Sequence, residues 1–337
     1  MSNFKHPATI YSTRLLLLLS EVRDSQKLPY QNGFKQLQKN TPLTFKPTVI
    51  PNVYLGPYGI GSIGHNEFTG NATMSLQQVL MFIATKEEGY AKNAVNIIRE
   101  WSKGCLTITG SNTPLECGWA NIMIRAAEIL KYKYPKGWTT TVNDDFVKYL
   151  ERIFLPNLTG KRYIEIFRYN NNWTITINEA LLQIALFKED KVSFLYYIEE
   201  YKKILVNCIM PTGQLKETQR DMWHSQAGIA SFIQCAELCY QQGIDIYSCN
   251  NNLLKTCMEY HAKIISNNGN PPPSDFPKDK LPIKDIYFFR CVWEVGYNHY
   301  ANRKNIDMPE TEALLIRYRP EQAVFNWGVG WLHYYSF

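Results

Sequence analysis

The chain has 337 residues, 20% of them charged and 45% hydrophobic, with a net charge of +6. That balance excludes an intrinsically disordered chain, and no block of basic residues marks a nucleic-acid partner. The mild positive charge suits another kind of anionic partner. The eight Trp and 22 Tyr fit sugar stacking as well as a large core.

Ser12 to Gln26 reads as a capped first helix around the run Leu15–Leu19. Five leucines followed by Ser20, Glu21, Arg23 and Asp24 are too short for a signal-peptide core or a membrane span. No membrane partner is expected, and a cytoplasmic or virus-associated location is. Residues 41–70, with Pro42, Pro47, Pro51 and Pro57 among five glycines, form an irregular stretch expected to act as a lid or cleft wall. His65 and Asn66 near its end are candidate substrate-binding residues.

Helical periodicity then places helices near 73–86, 88–102, 115–132, 143–154, 173–187, 190–208, 220–242, 250–266, 286–303 and 309–316. Short spacings and one broad apolar face per segment predict antiparallel helical hairpins in series. Without a fixed-period motif they fit an all-α fold, an incomplete (α/α) toroid over a single domain 1–337, better than a regular solenoid. The inner helices of such a toroid line a cleft. A second loop, Asn267–Ile283 with Asn-Gly-Asn-Pro-Pro-Pro, is placed to close part of it.

The eight cysteines include no CxxC pair. Cys235 and Cys239 lie one helical turn apart, but no histidine or carboxylate cluster accompanies them. Reduced, packed thiols are the reading, with no metal and no cofactor expected.

Polar residues on otherwise apolar helices carry the chemistry. Asn170-Asn171-Asn172-Trp173 precedes an apolar helical segment. Asn172 either caps that helix or offers its amide to a substrate carboxylate, with Trp173 on the inner helix beside it. Asn172-Trp173-Thr174 is also a glycosylation sequon, although a glycan there would block a buried site. Further on, Glu217, Arg220 and His224 stand at i, i+3 and i+7. On an α-helix they share one face over roughly 10 Å. They precede an amphipathic helix, Ser225 to Tyr247, with Gly243 as its natural stop, and the helix dipole there favours an anionic ligand. The plainer alternative is a Glu–Arg pair on a solvated helix start and a core histidine. Arg290, Glu294 and Tyr297 fall at i, i+4 and i+7, Tyr300 continues the stripe, and Asn298 and His299 crowd the same turn. The alternative there is an amphipathic helix that buries its tyrosine rings.

These residues resemble the alginate-lyase superfamily. Glu217-x-x-Arg220-Asp221-x-x-His224, Gln242-Gly243-Ile244-Asp245-Ile246-Tyr247 and Tyr297-Asn298-His299-Tyr300-x-Asn302-Arg303 are similar to its glucuronan-lyase-like branch. So are Asn172-Trp173, Ala126-Ala127-Glu128, His6-Pro7 and Arg319-Pro320-Glu321, so the likeness runs over nearly the whole chain. Alginate lyases proper carry a histidine right after the paired asparagines and a tyrosine three residues beyond the position of His224; this chain has Trp173 and Ala227. The tail Phe325-Asn326-Trp327-Gly328 matches only approximately.

The resemblance implies an α/α toroid that cleaves an anionic, uronic-acid polysaccharide by β-elimination. Its site implies that Asn172, Arg220 and a protonated Glu217 neutralise the C6 carboxylate. His224 is then the base or an orienting group. Tyr297 or Tyr300 is the acid, with Arg290 easing tyrosinate formation. Trp173, Asp221, Asn298, His299, His65 and Asn66 are the accompanying substrate-binding residues. Two other classes compete. A glycoside hydrolase requires carboxylates roughly 5–10 Å apart across the bond, whereas Glu217 and Asp221 flank Arg220 on one segment. A non-catalytic polysaccharide-binding protein has no need to keep the Asn, Arg, His and Tyr set together.

Overall fold

Ser12 opens the first helix: its hydroxyl oxygen accepts from the Leu15 N–H at 3.1 Å, and α1 (Thr13–Asp24) turns Leu15, Leu16, Leu19 and Val22 inward. The structure, a computed structural model, describes residues 4–27, 30–160, 170–286 and 292–320. A second helix, α2 (Tyr30–Asn40), follows where none is expected. Its Gly33 and its run of Gln, Asn and Lys weaken the helical signal, yet Tyr30, Phe34 and Leu37 still form a buried stripe.

The proline- and glycine-rich stretch is tied down at its base. Strand β1 (Asn52–Tyr54) pairs in parallel with β2 (Thr107–Thr109), and Tyr54 bridges back to Ile63. The stretch ends at Gly64, whose left-handed backbone (φ 74°) starts α3 (His65–Thr85), earlier than the periodicity indicates. Then come α4 (Glu88–Gly104), α5 (Thr113–Trp119) and α6 (Ile122–Lys133). The single helix expected over 115–132 breaks between the last two. Next, α7 (Thr140–Tyr149) runs through a π-turn (Leu150–Phe154) into α8 (Leu155–Thr159). The remaining helices are α9 (Asn172–Phe187), α10 (Lys191–Cys208), α11 (Met222–Gln241), α12 (Cys249–Ser266), α13 (Trp293–Tyr297) and α14 (Pro309–Tyr318). Beyond α13 lies a π-turn, Asn298–Arg303, so the described residues of the helix expected over 286–303 form a pair of short pieces. As expected, α11 stops against Gly243, at φ 83°.

Burial separates two rings. In α6 every residue from Ile122 to Leu130 is buried, in α9 Asn172 and Thr174–Phe187, and in α11 Ser225–Cys239. Helices buried all round belong inside. In contrast α10 buries one face, Phe194, Ile198, Glu200, Tyr201, Ile204, Leu205 and Cys208, leaving Val192 and Tyr196 exposed. Alternation of inner α3, α6, α9 and α11 with outer α4, α7, α10 and α12 makes the (α/α) toroid.

The inner ring is cross-linked by polar groups. Arg125 of α6 pairs with Glu179 of α9 and donates to Gln234 of α11, all fully buried. Removing one partner of such a pair costs about 3–5 kcal/mol. The amino-terminal arm straps the same ring. Glu128 Oε1 accepts from the Ala8 N–H and pairs with the His6 ring, each at 2.7 Å, and Gln183 donates to the Ala8 carbonyl. The seven described cysteines are free, six of them buried, and Cys291 lies outside the described residues. No described helix is long and apolar enough to cross a membrane.

Candidate active site

The turn between α10 and α11 builds the polar cluster. The chain closes on itself through an Ile209–Leu215 bridge, winds into a 3₁₀ turn (Lys216–Gln219), and starts α11 at Asp221. The common α-helical stripe for Glu217, Arg220 and His224 is therefore corrected. Glu217 sits in the 3₁₀ turn, Arg220 in the link and His224 in the first turn of α11, yet they still converge. Glu217 is buried and accepts from Arg220 Nη1 at 3.1 Å and from the Asn172 N–H at 3.4 Å. Both partners are donors, so the Glu217 oxygens accept and hold Arg220 in place.

Asp221, expected as a substrate-binding residue, is bonded within the site to His224. As the N-cap of α11 its carboxylate accepts from the His224 backbone N–H and lies 2.7 Å from His224 Nδ1. An ionised carboxylate there requires the proton on Nδ1, which leaves Nε2 as the basic nitrogen. Burial pushes the Asp221 carboxyl up, but hydrogen bonds from the His224 ring and backbone, with the Arg220 charge, hold it below its ordinary range.

Asn172 opens α9 and is 1% exposed. The cap is Asn171, whose side chain accepts from the Trp173 N–H. The Asn172 amide is thus released from capping, and among the described residues neither its oxygen nor its nitrogen has a hydrogen-bond partner. A Cβ on Gly228 of α11 would press on Leu215 Cδ2 at 3.2 Å and lie in ordinary contact with Asn172 Cα at 3.6 Å. Burial of Asn172 excludes use of the sequon in the folded chain. Trp173 is half-buried, and Ala227 is fully buried.

Tyr58 completes the cluster and is not among the residues that the sequence singles out. Arg220 Nη2 donates to its hydroxyl oxygen at 2.6 Å across 162 residues of chain. The tyrosine stands 76% exposed at φ 53° in the turn Pro57–Gly59, a conformation a bulky residue adopts only when its surroundings impose it. Only the Pro-Tyr-Gly triplet inside the lid could have signalled it, and that triplet reads as an ordinary turn. A pocket of about 590 Å³ is lined by Tyr58, Ser62, His65, Asn66 and Glu67, among others. A larger cleft of about 970 Å³ is lined by Asn170, Asn171, Lys216, Glu217, Arg220 and Lys284, among others. His65 lies 3.3 Å from Glu116, and that contact raises its pKa. Trp223 packs edge-on to both Trp119 and His224.

The second polar stripe does not join this cluster. The Tyr300 hydroxyl, 0% exposed, donates to the Tyr247 carbonyl, and His299 stacks on the Tyr247 ring. Buried Asn298 shares their turn. The Tyr247 hydroxyl packs back onto α11 at Glu237 (3.0 Å) and at the Ile233 carbonyl (3.4 Å), about 14–20 Å along the helix from His224 at 1.5 Å per residue. These three residues serve the core. Tyr297 sits against Glu312 and Arg319, and burial with the Glu312 carboxylate pushes its hydroxyl up to about 12. The neighbouring Gly296 packs near Ile233, about 13 Å along α11 from His224. The helical stripe assumed for them breaks at the π-turn. Arg290 lies outside the described residues.

Behind the cluster, the Thr218 hydroxyl donates to His261 Nε2 at 2.6 Å, while the His261 Nδ1–H donates to the Cys257 carbonyl. Burial holds His261 down to about 4. An unfolded histidine protonates near 6.5, so the unfolded state gains a proton first as pH falls. Stability is unaffected above that value, drops below it and levels near pH 4, a loss of about 3 kcal/mol. Chemical denaturation between pH 7 and 4 checks this; His261→Gln should flatten the dependence by that amount. Among the described residues no group of three or more His, Cys, Asp or Glu could hold a metal ion.

A family model described as alginate lyase matches residues 68–270, more than half of the chain. None of the curated protein sequences matches. Among solved structures, an alginate lyase from Bacteroides ovatus is similar at TM-score 0.71 and 15% identity, with 100% of both chains covered. Alginate lyase A1-III from Sphingomonas species A1 superposes at 0.68 and 16% identity, with coverage of 99% of this chain and 97% of that one. A variant of alginate lyase A1-III complexed with tetrasaccharide gives 0.70 at 16% identity over the same shares. At these identities the likeness is one of fold.

Proposed function

The chain belongs to the alginate lyase family and is a polysaccharide lyase, and from that premise we propose that it cleaves a uronic-acid polymer, glucuronan-like in preference to alginate, by metal-independent β-elimination. The observation that carries the reading is the buried, unpartnered Asn172 amide beside Arg220 and an oriented His224. In this reading the Asn172 side chain turns from its buried position toward the cleft lined by Asn170 and Asn171, where a uronate carboxylate gives its amide the acceptor it lacks and joins Glu217 as a second partner of Arg220. Both stabilise the charge that grows on the carboxylate as the C5 proton leaves. His224 Nε2 takes that proton, and its electron pair forms the C4=C5 bond as the C4–O4 bond breaks. Tyr58 is the acid. Because Arg220 donates into its oxygen, the Tyr58 O–H proton is free to pass to O4, and the guanidinium faces the phenolate left behind. Solvent then carries the proton from His224 back to Tyr58.

The hydrolase alternative is disfavoured by engagement of both carboxylates, Glu217 with Arg220 and Asp221 with His224. The preference for glucuronate rests on Trp173 and Ala227, which stand where the alginate-type site has histidine and tyrosine. Incubation with glucuronan, polymannuronate, polyguluronate and hyaluronan in a chelator, followed by ultraviolet absorbance, tests the reading. Absorbance should rise fastest with glucuronan. Strong cleavage of polymannuronate with none of glucuronan would sink the substrate claim and leave the elimination claim standing.

A further inference from the structure

His261 of α12 is a fully buried ionisable group that the elimination steps leave unused. Its Nδ1 lies 2.7 Å from the Cys257 carbonyl oxygen, which can only accept, so Nδ1 carries the ring proton. Burial keeps the ring neutral at working pH, and Nε2 is left as an acceptor. It takes the Thr218 hydroxyl proton at 2.6 Å, and the Thr218 oxygen in turn accepts from Ser225 Oγ at 3.0 Å. Ser225 also reaches back to the Asp221 backbone carbonyl at 2.8 Å. The bonds thus run in one direction, from Ser225 through Thr218 and His261 to Cys257, and Thr218 and Ser225 are as buried as the ring. Thr218 directly follows Glu217, and Ser225 directly follows His224. The same helix also meets the segment just before the 3₁₀ turn: a Cβ on Gly213 would lie 2.5 Å from the Thr256 carbonyl oxygen.

We propose that His261 is a positioning residue of the elimination site: through Thr218 it fixes the turn carrying Glu217 and Arg220 against the helix start carrying Asp221 and His224. The role rests on the lyase reading and deepens it, because it assigns the placement of the reacting groups to a side chain that never meets the substrate. Without the Thr218 hydroxyl, Nε2 has no donor, Ser225 turns wholly to the Asp221 carbonyl, and the 3₁₀ turn loses its tie to α12. A displacement of about 1 Å at reacting groups costs about a hundredfold in rate. The loss falls on charge that grows only in the transition state, so it appears in kcat before KM.

The test compares Thr218→Val, which keeps the shape and deletes the hydroxyl, with Thr218→Ser, which keeps the hydroxyl. A control, Thr41→Val, deletes a buried hydroxyl bonded to the Leu37 carbonyl on α2. Elimination kinetics on the polymer that wild type cleaves fastest are read beside thermal unfolding and the imidazole resonances of His224 and His261 by NMR. Thr218→Val should lower kcat about ten- to a hundredfold with KM nearly unchanged, and should move the His224 resonances. Thr218→Ser should retain wild-type kcat and His224 resonances, and Thr41→Val should retain both even where its unfolding temperature falls as far. Wild-type kcat in Thr218→Val overturns the role, as does equal loss in the Val and Ser variants or in the control. Wild type that eliminates none of the four polymers, while Thr218→Val alone still moves the His224 resonances, would instead overturn the lyase reading and leave the positioning intact.

Discussion

Asn172→Ala is expected to lower kcat about a hundred- to a thousandfold, the usual effect of removing one donor aimed at developing charge, while the melting temperature stays the same or rises. The two halves of that outcome share one cause. The amide of Asn172 is buried with both polar atoms unpartnered, an arrangement that costs about 1–3 kcal/mol in the unliganded protein. Deleting it relieves that cost and removes the group that meets the substrate. The cap of α9 belongs to Asn171, so the helix start survives the change. Activity by ultraviolet absorbance and thermal unfolding on the same sample check it. A destabilised variant with full activity would make Asn172 a packing residue and remove the carboxylate site.

Tyr58→Phe should reduce elimination about 10²–10⁴-fold, the range for loss of a general acid, and leave stability nearly unchanged because the side chain is mostly exposed. Tyr297→Phe should eliminate at close to the wild-type rate, since its hydroxyl is engaged with Glu312 away from His224. Rate constants on one polymer separate the two. The reverse ranking would return the acid to α13 and leave Tyr58 as a lid contact to Arg220.

Much of the architecture is legible in the sequence because the apolar period of helices such as α4 and α7 is strong, and because inner helices read as apolar almost throughout. The misses have physical causes. Helix α2 hides behind Gly33 and polar residues, and its three buried side chains matter only once α1 and α3 are beside it. The 3₁₀ turn and the Asp221 cap cannot be told from a continuing helix by spacing, so Glu217, Arg220 and His224 group correctly for a geometry they do not have. Tyr297 and Tyr300 share a helical stripe only while the helix is regular, and the π-turn at Asn298 removes that premise. Tyr58 meets Arg220 through tertiary folding of the lid, and no local pattern encodes a contact across 162 residues.

The most direct test of the account is mass spectrometry of the oligomers released from glucuronan by the wild-type protein. Elimination predicts non-reducing ends one water lighter than hydrolysis products, each with an ultraviolet-absorbing C4=C5 double bond. Oligomers at the hydrolytic mass, without that absorbance, would contradict it.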